Sequence, residues 1–383
     1  MKLRSKLRRI LAPRLVNHPA AKQALVRLDT QIETLRHTAA HVLPGIIRAM
    51  PRSLTVSITA ACNYRCGACR YGRDFMPGKQ LRWETAKLLL EDAHEAGVEA
   101  VRLYGGEPLL HPDLPKMVSL CTRLGFRTLL TTNAMLLGER IDELYSAGLR
   151  SISIGYYGTG GSYDTYVQRE AFQRMEEGVA EVRRRYGSKV GLQLNWLLMR
   201  QTCSLESLSQ AVAFAERYEM TILVDLIHYS LPYFTEGRDG EFQFRREDEP
   251  AIQRIAAELL RLKKRAPHLL KHSEAGLASI KDWLLLRADM RIPCDRYDMI
   301  WVGPDGTVQL CYVCFPLGNL HQQRLREMMF TETHHQAARD AFQTNCPNCH
   351  CNYDLRIQKH LPSRLRYGKL ATRNGLHSQG DDD

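Results

Sequence analysis

Three cysteines stand close together in the string Cys62-Asn-Tyr-Arg-Cys66-Gly-Ala-Cys69. Thiolates are soft ligands that suit iron–sulfur clusters, and three within eight residues can wrap one cubane. Three protein ligands leave one iron with an open position, which a metal site needs in order to bind a substrate. A zinc knuckle is the competing reading, but zinc takes a fourth ligand and none stands at finger spacing nearby. A second group follows much later: Cys294, then Gly306-Thr-Val-Gln-Leu-Cys311, Cys314, and Cys346-Pro-Asn-Cys349-His-Cys351. Asp305-Gly306 predicts a hairpin turn that carries Cys311, and four ligands on a hairpin and a C-x2-C loop can close around a metal, zinc included.

These side chains must be held by a framework, and the chain supplies one from Ser53 onward. Short β-branched runs alternate with amphipathic stretches. They predict strands at Leu54–Ile58, Val98–Tyr104, Phe126–Thr131, Arg150–Ile154, Val190–Leu198 and Thr221–Ile227. Helices are predicted between them at Trp83–Ala96, Leu114–Leu124, Ile141–Ala147, Phe172–Arg185 and Leu205–Tyr218. Six strands alternating with helices give an α/β fold whose parallel sheet curls into a partial (β/α)6 barrel of TIM-like type. Function gathers at the C-terminal strand ends of such folds. Cys62 follows the first strand directly, Cys203 the fifth, and Asp225 and His228 end the sixth. Asp225 and His228 can act as acid or base, or form a satisfied core pair; Cys203 is a thiol donor or a small buried hydrophobe.

The expected organisation is a basic helical extension over 1–50, the barrel over 51–240, and a helical connection over 241–290 with helices at Glu249–Lys264 and Glu274–Arg287. A small cysteine-rich domain over 291–360 and a tail over 361–383 complete it. Six basic residues (Lys2, Arg4, Lys6, Arg8, Arg9, Arg14) surround Leu3, Leu7, Ile10 and Leu11, so the start reads either as an amphipathic helix for peripheral contact with anionic lipid or as a solvated arm. The net charge of +11 lacks the stacking-aromatic or zinc-finger pattern that would turn it toward nucleic acid. No apolar run is long enough for a membrane span, and no secretory signal opens the chain, which predicts a cytoplasmic protein. In that reducing setting eleven cysteines point to metal ligation over disulfides.

The C-x3-C-x2-C spacing resembles the signature of the radical S-adenosylmethionine (SAM) superfamily. Gly105-Gly106-Glu107-Pro108 after the second strand resembles that family's GGEP turn, and Thr132-Asn133 its T-N-G turn with Ala134 in place of glycine. The resemblance covers about residues 53–228. It implies that Cys62, Cys66 and Cys69 hold a [4Fe–4S] cluster, and that the glycine turn, Asn133, Ser153, Arg174 and Asn195 bind SAM. The family's aromatic residue before the third cysteine is here Ala68, so the adenine would be met by Tyr64 or Tyr71. The C-terminal cysteines, with Gly318-Asn319, resemble the SPASM and twitch extensions. That likeness implies one auxiliary [4Fe–4S] cluster on Cys294, Cys311, Cys346 and Cys349, leaving Cys314 and Cys351 spare, structural or catalytic.

The implied enzyme cleaves SAM reductively with electrons from a flavodoxin or ferredoxin and abstracts hydrogen from a small molecule, sugar or peptide. Dehydrogenation is the leading outcome. Epimerisation, with Cys203 tested as donor before Cys314 and Cys351, is the alternative, and a non-catalytic iron–sulfur or zinc protein on nucleic acid is a third.

Overall fold

The computed structural model describes residues 19–234 and 239–376. The basic stretch Met1–Leu15 and the end of the tail, His377–Asp383, lie outside the described residues.

Six strands pair in parallel and in sequence order: β1 (Ser53–Thr59), β2 (Ala100–Gly105), β3 (Arg127–Thr132), β4 (Ser151–Tyr156), β5 (Gly191–Leu198) and β6 (Thr221–Leu226). Each lies within two residues of its expected bounds at either end. The strands are buried on both faces, as a parallel sheet under helices requires. On β1, Leu54, Val56 and Ile58 join the main apolar core, while Thr55, Ser57 and Thr59 are buried polar residues between them.

The sheet does not close. Its order is β6-β5-β4-β3-β2-β1-β7-β8-β9, so three strands continue it beyond β1. β7 (Met299–Val302) runs parallel to β1, and β8 (Thr307–Gln309) and β9 (Pro316–Asn319) follow antiparallel. The expected hairpin is therefore real, but the cysteine-rich segment extends the barrel sheet as well as forming a small unit of its own. It also bridges the opening. His350 Nε2 lies 3.1 Å from Leu226 O and the Tyr353 hydroxyl donates to Val224 O at 3.4 Å, both on β6. On the opposite side the Tyr312 hydroxyl donates to Thr55 Oγ1 at 3.4 Å and accepts from Arg102 at 3.2 Å.

Some expectations are corrected. Residues 361–376 are not tail but the helix Leu361–Leu376, whose Tyr367 and Ala371 are buried one turn apart. The Tyr367 hydroxyl donates to Asp282 at 2.6 Å, which ties this helix to the connection. The helix expected over Glu274–Arg287 is two, Glu274–Ala278 and Ile280–Leu286. A short helix, Gly161–Val167, lies in the β4 crossover ahead of the expected Phe172–Arg185, which is observed as Phe172–Tyr186. At the start, Pro19–Ala39 is helical as expected. No helix among the described residues is long and apolar enough to cross a membrane.

Candidate active site

The strand ends open onto a cavity of about 560 Å³, a size ordinary for small-molecule sites. Cys62, Cys66 and Cys69 line it from the loop after β1. The loop is pinned at its ends: Gly67 N donates to Tyr166 O at 2.8 Å and Arg70 N to Tyr233 O at 2.7 Å. Arg73 donates to the carbonyls of Arg65 and Cys66. Burial pushes the Cys62 thiol up to about 12 and that of Cys69 to about 11, and raises Cys66 too. Cys62 and Cys69 each raise Cys66 further. Three such neighbours cannot all ionise alone; they ionise together only against cationic charge, which iron supplies. The donor set therefore fits a cluster.

Gly105 and Gly106 also line the cavity, and their fit against β1 is tight. Gly106 N donates to Thr59 O at 2.8 Å and Glu107 N to Ala61 O at 2.7 Å. A Cβ on Gly106 would stand 2.7 Å from Ala60 O and closer still to Ala61 O. Glycine is required here because two backbones touch, one of them leading into Cys62.

Glu107 and Pro108, placed with the glycine turn by the resemblance, do not line the cavity. The Glu107 side chain is fully buried and accepts from Thr132 Oγ1 at 2.6 Å, Asn133 N at 2.8 Å and Leu109 N at 2.9 Å. It clamps the β2 turn to the β3 turn. Burial raises it to about 7 against those hydrogen bonds. Pro108 starts the short 3-10 turn Pro108–Leu110 behind it. Asn133, Ser153 and Asn195 line the cavity. Asn133 Nδ2 donates to Asn63 Oδ1 at 2.7 Å, and Ala134 takes the left-handed conformation (φ 62°) in which the family has glycine.

Two expected residues are elsewhere. Arg174 does not line the cavity; its side chain is 52% exposed and pairs with Glu139. The helix that carries it places it on the outer surface. Cys203 ends the turn Arg200–Thr202 outside the cavity, and burial raises its thiol to about 12. Asp225 and His228 do line the cavity: Asn195 Nδ2 donates to Asp225 at 3.2 Å, and His228 Nε2 lies 3.9 Å from Asp225 Oδ1. Burial raises Asp225 and drops His228 to about 3, so the imidazole is neutral.

Residues missed from sequence complete the walls. Tyr157 and Tyr166, with rings 4.6 Å apart, line the cavity near the loop where Ala68 lacks an aromatic side chain; Tyr64 and Tyr71, as expected, line it too. Tyr71 is held by Ser57 Oγ at 2.9 Å. Arg102 on β2 and Arg296 beside Cys294 were also unforeseen; an arginine inside a strand of alternating apolar residues was the available signal for Arg102.

The second group of cysteines forms its own nest. Cys294, Cys311, Cys346 and Cys349 line one small enclosed cavity together with Cys351. Cys314 is within hydrogen-bond reach of Cys311 and Cys346, and Cys351 of Cys349. Those thiol hydrogen bonds hold Cys346 at about 6 and Cys349 at about 7, within reach of the thiolate that metals bind. Arg356 is buried beneath, stacked 4.8 Å over Trp283 and donating to Cys349 O and Ile292 O. The two cavities share a wall: Arg296, Tyr312 and Cys351 line both.

Comparison with known proteins agrees. Residues 56–197 match the model of the radical SAM superfamily, and residues 294–352 that of the SPASM iron–sulfur cluster-binding domain. The chain is 39% identical over 113 residues to the GTP 3′,8-cyclase of Xanthomonas axonopodis pv. citri, covering 27% of this chain and 33% of the relative. It is 30% identical over 157 residues to the probable GTP 3′,8-cyclase of Sulfolobus acidocaldarius, covering 39% and 47%. The matches thus span from a third to about half of these relatives' length. Among solved structures, Streptococcus suis SuiB bound to the precursor peptide SuiA superposes with a TM-score of 0.59 at 15% identity, over 76% of this chain and 67% of that one. The enzyme anSMEcpe with bound AdoMet gives 0.60 at 14% identity, over 87% and 96%. The chain belongs to the radical SAM superfamily and carries a SPASM iron–sulfur domain toward its C-terminal end.

Proposed function

We propose that this radical SAM enzyme dehydrogenates a substrate held between two iron–sulfur sites. One observation carries the reading: the cavity lined by Cys62, Cys66 and Cys69 shares a wall with the cysteine nest of the SPASM domain. Cys62, Cys66 and Cys69 hold the SAM-binding [4Fe–4S] cluster; Cys294, Cys311, Cys346 and Cys349 hold the auxiliary one. When bound, the first cluster and SAM supply a 5′-deoxyadenosyl radical that removes a hydrogen atom, and the second supplies an acceptor for one electron.

The chain's own residues do the rest. Gly105 and Gly106 let the backbone close on the methionine end of SAM, with Asn133, Ser153 and Asn195 facing it from the next three strands. Glu107 keeps the β2 and β3 turns in register. Tyr157 and Tyr166 offer ring faces for the adenine. Asp225, raised by burial and beside a neutral His228, would accept the second hydrogen as a proton, the accompanying electron going to the one-electron acceptor. The substrate is a small molecule, sugar or peptide, the last in keeping with SuiB and its bound precursor peptide. A flavodoxin- or ferredoxin-type donor in a reducing cytoplasm supplies the electrons.

A second reading is epimerisation. It is favoured by Cys351, whose Sγ lines the cavity 3.9 Å from His228 Nδ1 and is placed to return hydrogen where Cys203 is not. Turnover in D2O separates the two. A product two hydrogens lighter, lost with Cys311→Ala while 5′-deoxyadenosine persists, supports dehydrogenation. One deuterium at carbon in a product of unchanged oxidation state contradicts it.

A further inference from the structure

Arg296 lies in the wall between the two cavities, held charged through space by Asp295, Tyr312 and Asp298 but without a direct partner among the described residues. Its backbone N–H donates to Cys294 Sγ at 3.4 Å, but its side chain takes part in no hydrogen bond or ion pair, and Nε is buried without a partner. Asp295 and Asp298 favour the cation through space, but Asp295 spends its direct contacts on Lys359 at 3.0 Å and Asn352 at 3.1 Å. The charge itself is offset by those acids, but a half-buried guanidinium whose Nε–H is buried without an acceptor still forgoes a hydrogen bond that a ligand could supply.

Arg102 faces the same place from β2. Its Nε donates to Thr131 Oγ1 at 2.8 Å and Nη1 to the Tyr312 hydroxyl at 3.2 Å, both neutral partners, and no carboxylate pairs with it within ion-pair distance. Arg102 and Arg296 both lower the basicity of His228, and both act on Tyr312, so they converge on one region of the cavity. The cavity's carboxylates form no ion pair with either arginine, although Asp225 favours the charged Arg102 through space. Asp225 accepts from Asn195, and Asp354 from Ser273 and Gln358. Two forked donors with free N–H groups, beside a phenol, match the geometry of an oxyanion.

We propose that Arg102 and Arg296 bind an oxyanion of the substrate, a phosphate or a carboxylate, and so orient it between the two iron–sulfur sites. This rests on the reading of the cavity as the SAM and substrate site. Either anion would accept from the unpartnered Nε–H in a charge-assisted, forked bond; a neutral sugar or peptide carbonyl would accept only the weaker neutral one. The enzyme would therefore select acidic substrates, and the SPASM domain would contribute to specificity through Arg296 as well as housing a cluster.

The test uses the anaerobically reconstituted, SAM-saturated full chain, titrated calorimetrically with pyrophosphate in one arm and succinate in the other. One of the two should bind, and that arm names the oxyanion. Arg296→Gln and Arg102→Gln should each weaken it by about tenfold to a hundredfold, as expected for a lost charged hydrogen bond. Arg296→Lys, which keeps the charge and loses the fork, should fall between. Lys189→Gln, an exposed residue outside the cavity, controls for net charge and should change nothing. Iron content reports whether each variant is folded. The proposal is overturned if neither anion binds, or if binding is indifferent to both arginines. It is equally overturned if Arg296→Gln weakens SAM instead, which assigns the guanidinium to the SAM carboxylate. A shift of the auxiliary cluster's midpoint potential with anion binding intact would assign it to that cluster and overturn the proposal too. Release of 5′-deoxyadenosine is read separately, so failure of the SAM reading shows itself apart from failure of the anion site.

Discussion

Replacing Gly106 by alanine perturbs the site through a single methyl group. A Cβ there would lie 2.7 Å from Ala60 O and nearer to Ala61 O, while ordinary contacts of this kind begin above 3.0 Å. The β2 turn and the loop after β1 must then separate, by an amount on the order of 1 Å for a carbon forced into van der Waals overlap. Ala61 is joined to Cys62, so that displacement passes to the first cysteine. Overpacking of this kind costs about 1–3 kcal/mol of stability. A 1 Å misplacement in an active site costs about a hundredfold in rate. Gly106→Ala should therefore lower 5′-deoxyadenosine production about a hundredfold and reduce the iron held by Cys62, Cys66 and Cys69, with the C-terminal iron retained. Gly161→Ala is the control, since its Cβ would meet nothing within 4 Å. The assay is anaerobic SAM cleavage by chromatography, with iron analysis and thermal unfolding on the same samples. Wild-type cleavage and iron in Gly106→Ala would refute the reasoning, because the contact would then not transmit to Cys62.

Other outcomes follow from the same geometry. Cys203→Ala should leave both 5′-deoxyadenosine and product yields unchanged, because Cys203 is outside the cavity; loss of product would return it to the site. Asp225→Asn should keep SAM cleavage and lose product, as mass spectrometry of the quenched reaction would show. Glu107 has its folded pKa raised from 4.5 to about 7, so the unfolded chain releases this proton first and the group's contribution to stability falls as pH rises from 4.5 to 7. At about 1.4 kcal/mol per unit this amounts to about 3 kcal/mol, and Glu107→Gln should abolish that part of the slope in denaturant titrations across the range. Arg356→Met leaves the carbonyls of Cys349 and Ile292 without their donor and should cost about 3 kcal/mol, with iron lost from the SPASM domain alone.

The six barrel strands were legible because each is a local pattern: β-branched runs separated by helices with glycine stops at Gly97 and Gly148. The place of β7 was not, since Met299–Val302 is a four-residue apolar run whose partner, Ser53–Val56, lies far back in the chain. Pairing at that distance leaves no periodic signal. The helix Leu361–Leu376 leaves little trace in the sequence because its buried face, Tyr367 and Ala371, is narrow among basic and polar residues. At the site, the cysteine spacing and the family resemblance pointed to Cys62, Cys66, Cys69 and the glycine turn, and Cys62, Cys66, Cys69, Gly105 and Gly106 line one cavity. Neither could tell which side of a helix or turn faces inward, and Arg174 and Cys203 turned out to face away. Glu107 was read by its place in the turn, whereas its carboxylate is spent on Thr132 and Asn133. Arg102 and Arg296 carry no motif, and only the convergence of β2 with the SPASM domain shows what they face.

The central claim is that the cavity beside Cys62 cleaves SAM. It is tested most directly by incubating the anaerobically reconstituted, reduced protein with SAM and counting products per iron site. Methionine and 5′-deoxyadenosine should appear in equal amounts, and Cys62→Ala/Cys66→Ala/Cys69→Ala should form neither while retaining about half of the roughly eight irons expected for two four-iron clusters. Absence of 5′-deoxyadenosine from wild-type protein carrying its full iron, or its persistence in the triple variant, would contradict the account.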